Sequence, residues 1–406
     1  MKAAVVGCGT AGPAAALWLA RQGHEVRVLE RSPELLPVGA GLLLQPLGLC
    51  ALARLGVLPE VLERGARIER VCGETRSGRA VMDLPYADLH PACFGLGIHR
   101  AALLEVLVAA LAREGIPLEL GREVAALEHG ADGRPSLVDA RGERLGPYDL
   151  VVAADGSRSG LRAGTGLVRR DRPYAWGALW FVGELEEPRL AGGLHQVFDG
   201  ASRLLGLLPS GPDPGSRRPT SSLFWSVRSD RPPPADGREL AALKAEMLRL
   251  QPAAAPLLEQ IASPAHLIQA RYTDLVLARW HTGRVVFLGD AGHAMSPHLG
   301  QGANLALHDA WVLGRCLTEH GGVEEALAAY SRERRSHLAF YQFASRWALP
   351  FFQSSLPPLG WLRDGLFPLL GRLRPFHLQQ VRSLAGVKRG FLRRSLALDP
   401  ALLADR

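Results

Sequence analysis

Gly7-Cys8-Gly9-Thr10-Ala11-Gly12, followed by Glu30 eighteen residues beyond Gly12, is a spacing that can cradle the pyrophosphate of a dinucleotide. Gly7 permits a tight turn, Gly9 lets a phosphate approach the backbone, and Gly12 lets a helix pack closely on a strand. The Glu30 carboxylate would end the second strand and can accept both hydroxyls of an adenosine ribose. Glycine makes up 45 of 406 residues, so the triplet alone says little. Glu30 is what favours the dinucleotide reading over a generic turn with a surface glutamate.

A second constellation runs from Gly289 to Asn304, Gly-Asp-Ala-Gly-His-Ala-Met-Ser-Pro-His-Leu-Gly-Gln-Gly-Ala-Asn. Arg284 to Leu288 reads as a short buried strand, Asp290 follows it, and a Gly/Pro-rich loop opens a helix expected from Asn304 onward. Backbone N–H groups of Gly300, Gln301, Gly302 and Ala303 would point at an anion, such as a phosphate or a reduced flavin ring. Asn304 is the only asparagine in the chain, and lysine occurs three times among 47 basic residues. An asparagine standing alone under that codon bias points to a task for its amide, and contact with a bound ring is the expectation. Helix capping is the plain alternative. A third group, Asp155-Gly156-Ser157-Arg158-Ser159-Gly160-Leu161-Arg162, ends another buried strand. By itself Asp155-Gly156 is an ordinary turn. Three such strand-end loops would converge at the carboxyl edge of one parallel sheet, where ligands bind in folds of this kind.

The elements that must hold these groups follow from periodicity. Residues 3–6, 13–22 and 25–29 read as strand, helix and strand, a single βαβ unit. Helix is expected over 42–56 and 100–113, short strands over 68–84, strand over 118–127 and a buried strand over 148–153. Between 175 and 227, apolar runs separated by Gly/Pro/Ser loops read as a separate sheet, closed by a helix over 239–250. From 338 to 391 the chain is rich in Leu, Phe, Trp and Pro and reads as a helical tail.

Composition removes other classes. The net charge is +7, yet the arginines are scattered with no basic run, which argues against a nucleic-acid arm. Five cysteines without a CxxC pair fit reduced thiols and a cytoplasmic protein. Lys2 leads straight into an apolar strand, so no signal peptide is expected. No apolar run approaches the roughly 18 residues of a membrane span. Ser157 and Ser296 lack the partners of a hydrolase triad, and no histidine pair has metal-site spacing.

Taken together, the Gly-x-Gly-x-x-Gly, Asp-Gly and Gly-Asp motifs resemble those of the single-component (class A) flavoprotein monooxygenases, the aromatic hydroxylases related to para-hydroxybenzoate and salicylate hydroxylase. The resemblance spans roughly residues 3–317. It implies an α/β fold: a Rossmann-like FAD-binding domain (1–70, 98–175 and 276–335), an inserted β-sheet substrate domain (71–97 and 176–275) and a C-terminal helical segment (336–406). It implies non-covalent FAD, with Gly7, Gly9, Ala11 and Gly12 along the pyrophosphate, Glu30 on the ribose, Arg31 beside it, and Val124 against the adenine. Arg100 would meet the ribityl-pyrophosphate region, Asp155 and Gly156 would serve FAD and a transient NAD(P)H, and Asp290 the ribityl chain. Gly300, Gln301, Gly302, Ala303 and Asn304 would sit at the pyrimidine edge, with Gly41 and Pro297 completing the cofactor set. The family segment Gly-x-Gly-Ile-x-Leu-x-Pro-Asn is here Gly39-Ala-Gly41-Leu-Leu-Leu-Gln45-Pro46-Leu47, and Leu47 in the asparagine position implies a less polar pocket.

The activity implied is hydroxylation of an aromatic or related electron-rich small molecule by NAD(P)H and O2 through a flavin C4a-hydroperoxide. His195, with Gln196 on a substrate-domain strand, and His298, after Pro297, are the candidate catalytic residues; ordinary structural histidines are the alternative. His293 reads as structural. The Trp-x-Trp-x-Ile-Pro motif of flavin halogenases is missing. An isoprenoid-reducing flavoprotein of the geranylgeranyl reductase type, and a flavin-binding protein without turnover, stay open. The apolar tail over 351–373 reads as helices packing on the substrate domain, or else as a lid, a dimer surface or a peripheral membrane contact.

Overall fold

The computed structural model describes residues 1–35, 40–213, 215–390 and 394–404. Gly39 and Phe391, on which parts of the sequence reading fell, lie outside them. Strands Lys2–Val6 and Glu25–Leu29 flank the helix Ala11–Arg21, as the βαβ pattern predicts. They pair in parallel within a six-stranded sheet. Its order is His281–Thr282, Val285–Phe287, Leu150–Ala153, Lys2–Val6, Glu25–Leu29, Leu118–Glu119, and all but the first strand run parallel. The central strands are buried throughout, as expected of a parallel sheet covered on both faces. The carboxyl ends of Lys2–Val6, Leu150–Ala153 and Val285–Phe287 therefore lie side by side, and the three motif loops leave from that one edge.

A second, seven-stranded sheet has the order Ile268–Ala270, Trp176–Glu184, Pro219–Arg228, Arg203–Pro212, Gly193–Asp199, Arg70–Thr75, Ala80–Pro85. One face packs on the helix Gly237–Leu250 in a core that includes Leu179, Val197, Leu205, Leu207, Leu223 and Trp225. Side chains alternate along each strand. The other face, which carries Trp180, Phe224, Leu208 and Phe198, turns toward the rest of the molecule. There a small sheet, Gly41–Leu44 with Gly95–His99 and Gly65–Ile68, bridges the two large ones. A Cβ on Gly41 would lie 2.1 Å from Ser222 Oγ, and one on Gly97 1.9 Å from the Pro209 carbonyl, so both glycines are required by sheet-to-sheet contact.

Several boundaries differ from expectation. The helix expected over 42–56 is strand at Gly41–Leu44 and helix only from Pro46 to Arg54. Pro46 forces Gln45 into the extended region (φ −97°, ψ 164°), which ends the strand and starts the helix. The strand expected over 118–127 divides into Leu118–Glu119 and Val124–His129, which join different sheets across Gly121 at φ +66°. The helix expected from Asn304 begins at Gly302. The tail helices are Val323–Phe352, Pro357–Gly371 and Arg374–Leu384, the first beginning well before residue 338.

Candidate functional site

The glycine loop is shaped by its own backbone. Gly7 sits at φ +105°, and a Cβ there would lie 2.3 Å from the Ala154 carbonyl oxygen. A Cβ on Gly12 would lie 1.9 Å from the Gly7 carbonyl oxygen. Gly9 is different: a Cβ there would meet nothing within 4 Å, so the space beside it is open to a ligand. Glu30 closes the loop from the next strand, one carboxylate oxygen accepting the Cys8 N–H at 2.6 Å and the other the Ser32 N–H at 2.9 Å. A carboxylate oxygen has two lone-pair sites, so each keeps one for a further donor. The Arg122 N–H bonds the Glu30 carbonyl and the Gly121 N–H bonds that of Ser32. Half-buried Val124 is thereby placed beside the Glu30 end of the loop, and Arg31 is exposed there.

The other two loops are tied together. Arg162, nearly buried, donates to the carbonyls of Ser157 (2.7 Å) and Ala291 (2.9 Å), joining the Asp155 loop to the Asp290 loop. Asp155 Oδ1 is buried without a partner inside the protein, and burial raises the carboxyl pKa against the opposing hydrogen bond of Ser159. Gly156 adopts φ +82° with open space beside it. Asp290 is exposed at the start of the short helix Asp290–His293, and a Cβ on Gly302 would lie 4.0 Å from its Oδ1. Behind it, Asp309 Oδ2 accepts the Gly289 N–H (2.9 Å) and meets His293 Nε2 (2.6 Å), while Oδ1 accepts Arg334 Nε–H (2.7 Å). Burial opposes ionisation of Asp309, but the attraction of His293 and Arg334 outweighs it and holds the carboxyl well below its usual range. His293, fully buried, is thus a brace for the Asp290 loop.

At the loop 300–304 the structure corrects the reading of two side chains. The Asn304 amide is completely buried and fully engaged. Its Oδ1 accepts the Gln45 N–H at 2.7 Å, and its Nδ2 donates to the carbonyls of Gly300 (2.7 Å) and Leu43 (3.1 Å). It neither caps the helix, whose N-cap is Gln301, nor has a donor left for a ring. The Gln301 side chain turns away as well, donating to the carbonyls of Leu384 and Ser383 in the tail. What the loop offers a ligand is backbone: Gly300 in the left-handed conformation (φ +59°), then the first-turn N–H groups of Gly302 and Ala303, which have no intrahelical acceptor. Sequence reasoning missed Gln45. It is completely buried, its Oε1 accepts the Tyr86 hydroxyl at 2.6 Å, and its Nε2 has no partner within the protein. A Cβ on Gly300 would lie 3.3 Å from that Nε2, so a free donor sits against the loop. The only local signal was its place before Pro46.

Arg100 is exposed at the start of the helix Arg100–Arg113, its N–H on the Ala40 carbonyl beside Gly41. Pro297 opens the turn Pro297–Leu299, from which His298 projects. His298 Nδ1 bonds Ser296 Oγ, its Nε2 is buried without a partner, and its ring lies 6.3 Å from Phe352. Burial lowers its pKa to about 4, so the imidazole is neutral at pH 7. His195 belongs elsewhere. It stands in register with Leu207, which in turn faces Leu223, and Leu223 faces Phe181. That row lies on the sheet face packed by the helix Gly237–Leu250, whereas Gly41 meets the opposite face. Its candidacy as a catalytic residue is withdrawn on that ground. A cavity of about 460 Å³ lined by Gly65, Arg67, Leu190, Pro209 and Thr220 contains none of the motif residues. Among the described residues no His, Cys, Asp or Glu cluster is arranged to hold a metal ion.

A family model described as "FAD binding domain" matches residues 1–341. The chain belongs to this family. It is a single-component FAD-dependent monooxygenase of the salicylate hydroxylase type, an oxidoreductase with NAD(P)H as co-substrate. It is 30% identical to a Pseudomonas aeruginosa 2-heptyl-3-hydroxy-4(1H)-quinolone synthase over 400 residues, 95% of this chain and 98% of that protein. It is also 30% identical to a Streptomyces cremeus 3-amino-4-hydroxybenzoate 2-monooxygenase, over 82% of this chain and 83% of that one. Among solved structures, a Klebsiella pneumoniae protein crystallised with FAD and uric acid has the same fold, with a TM-score of 0.79 at 23% identity, covering 94% of this chain and 97% of that one. The α/β class with its helical C-terminal region is thus the family's fold, and the isoprenoid-reducing alternative is not favoured. No helix among the described residues is long and apolar enough to cross a membrane.

Proposed function

We propose that this monooxygenase hydroxylates a flat, electron-rich aromatic or nitrogen-heteroaromatic ring carrying an apolar substituent. In this reading residues 1–70, 98–175 and 276–335 form the FAD domain, 71–97 and 176–275 the substrate domain, and 336–406 the helical segment. Gly7, Gly9, Ala11 and Gly12 would hold the FAD pyrophosphate, Glu30 with Arg31 nearby the ribose, and Val124 the adenine. Arg100, Asp155, Gly156 and Asp290 would line its middle, and Gly41, Pro297 and the backbone of Gly300, Gln301, Gly302, Ala303 and Asn304 its ring. Support for this comes from open space beside Gly9, the unpartnered Asp155 Oδ1 and the unpartnered Gln45 Nε2, three features a bound dinucleotide would satisfy.

FAD, when bound, supplies reduction by a nicotinamide and activation of dioxygen. The chain's own residues hold the substrate, exclude water and stabilise charge. The helix N-terminus at Gly302 and Ala303 offers preorganised donors to an anionic ring. Trp180, Phe224 and Phe198 form an aromatic wall on the sheet face toward Gly41, with Trp180 Nε1 donating to the Tyr272 hydroxyl at 3.1 Å. The observation that carries the substrate class is His298, a neutral imidazole with an unpartnered buried Nε2, its ring 6.3 Å from Phe352, which in turn packs on Phe198 of that wall at 5.3 Å. With its proton on Nδ1 such a group accepts from a ring hydroxyl or ring N–H, and the buried Arg363 guanidinium over Phe198 is already paired with Asp364 and is not free to select a carboxylate.

The free thiols of all five cysteines accord with a reducing, cytoplasmic location. An oxygen-electrode screen tests the proposal. Hydroxyquinolines and alkylquinolones should stimulate NAD(P)H-dependent O2 uptake with product hydroxylation, and benzoates much less. Stimulation by carboxylated rings alone would reject this substrate class.

A further inference from the structure

The helix Pro357–Gly371 is seated on the substrate-domain sheet by two buried residues, Gly360 and Arg363. A Cβ on Gly360 would lie 2.8 Å from the Ala201 N, so the helix backbone runs against the turn at 200–201. The Arg363 guanidinium lies over the Phe198 ring at 4.4 Å, bonds Asp364, and donates to the Phe351 carbonyl at 3.0 Å. This anchoring fixes which face of the helix points outward, and that face is apolar. Trp361 is 72% exposed, Leu369 57% and Leu362 49%; Trp347 (59%), Leu356 (60%) and Leu373 (56%) extend the surface from the adjoining segments. Isolated exposed apolar residues are ordinary; a contiguous set this large marks an interaction surface.

Charge indicates what covers it. Between Leu338 and Gly390 the chain has one acid, Asp364, which is already paired with Arg363. The same stretch carries Arg346, Arg372, Arg374, Arg382 and Arg389, and Arg372 and Arg374 are exposed on either side of Leu373. An apolar, tryptophan-bearing helix face with arginines at its edge is complementary to an anionic lipid surface, the carboxylates beside it, Asp88 and Asp230, being paired with His377 and Arg228. A second copy of the chain fits less well, because an isologous contact sets the same patch against itself, and the segment 338–390 has no unpaired acid to meet the arginines of the other copy. An aromatic series also leads inward from this face: Trp347 to Phe351 (5.2 Å), Phe351 to Phe367 (5.5 Å), Phe367 to Phe352 (6.0 Å), and Phe352 to His298 (6.3 Å).

We infer that the outward face of the helix Pro357–Gly371, with Trp347 and the arginines at 372 and 374, docks the enzyme on the surface of an anionic bilayer. The helix lies in the plane of the interface and does not span it. This is independent of which substrate is hydroxylated.

Full-length FAD-loaded enzyme is floated with phosphatidylcholine vesicles, with and without about one third phosphatidylglycerol. The enzyme should float with the anionic vesicles and stay behind with the neutral ones, and about 1 M salt should release much of it. Arg372→Glu/Arg374→Glu, both exposed, should lower the partition coefficient by at least about twenty-five-fold, at roughly fivefold for each arginine lost. Trp361→Asp should lower it similarly, with flavin absorbance and circular dichroism confirming an intact fold in both variants. Failure to float with anionic vesicles, equal binding to neutral ones, or undiminished binding by the folded arginine variant would each overturn the inference. So would a wild-type dimer that ignores vesicles and that Trp361→Asp converts to monomer.

Discussion

Asn304 makes three buried hydrogen bonds, to Gln45, Leu43 and Gly300, and each oxygen or hydrogen of its amide has a partner of the right kind. Asn304→Asp keeps the shape but puts a carboxylate oxygen against two carbonyls. We expect it to destabilise the protein by at least about 2 kcal/mol, with aspartate forced toward its neutral form. Urea midpoints of the two proteins measure this; an unchanged midpoint together with an altered flavin potential would restore the ring-contact role the sequence suggested. His298 offers a second check at this scale. Its pKa is lowered to about 4 in the folded protein, against about 6.5 unfolded. The unfolded state therefore binds the extra proton between those values, so this contribution is complete above pH 6.5 and is lost as pH falls toward 4. Buried His308 and His337 shift the same way, so the comparison must be with a variant. His298→Gln should lose roughly 2–3 kcal/mol less than the wild type between pH 7 and pH 4. Parallel profiles would mean that His298 titrates normally.

Among the elements, the arrangement that decides the site is the buried set around Asp309. It joins the helix Gly302–Glu319 to the Gly289 turn through a backbone N–H, and to the helix Val323–Phe352 through Arg334. His337, which contacts the Arg334 guanidinium, continues to the Gly386 carbonyl at 2.7 Å, so the tail is part of the same frame. Gln301 adds a second tie from the loop to the tail. Asp309→Asn keeps the size while removing the charge that Arg334 faces in the interior. A cost of about 3–5 kcal/mol is expected, since one partner of a buried pair is then unmatched. Denaturant unfolding measures it. A loss below about 1 kcal/mol would show that Arg334 finds another partner and that the frame is not held from this point.

Over the whole molecule, the open groove beside Gly9 and the unpartnered Asp155 and Gln45 atoms are groups that a bound FAD would satisfy. Acid precipitation should release the yellow colour, because no histidyl or cysteinyl linkage is foreseen; colour retained in the pellet would refute non-covalent binding. Ligand that binds only the folded state stabilises it by mass action. FAD at about 100 times its dissociation constant should thus add roughly 2.7 kcal/mol, read as an upward shift of the apo-protein's melting temperature. No shift would mean that the groove does not hold the cofactor in the folded chain.

The glycine loop, Glu30 and the βαβ unit were legible because their signals are local: a turn, a strand end and a helix start within one stretch of thirty residues. The parallel order of the strands behind the three motif loops was readable for the same reason, each loop announcing a buried strand before it. The misread helix over 42–56 shows the limit of periodicity, since an apolar run of four residues suits strand or helix until Pro46 and the pairing with Gly95–His99 decide. His195 was misplaced because side chains alternate between faces and only the register with Leu207 says which face it takes. The role of Asn304 rests on partners 259 and 261 residues away along the chain, and that of the Gln45 side chain on Tyr86, 41 residues away. No spacing rule reaches that far: which donors meet which acceptors in the interior is set by how the sheets and the helix close on one another.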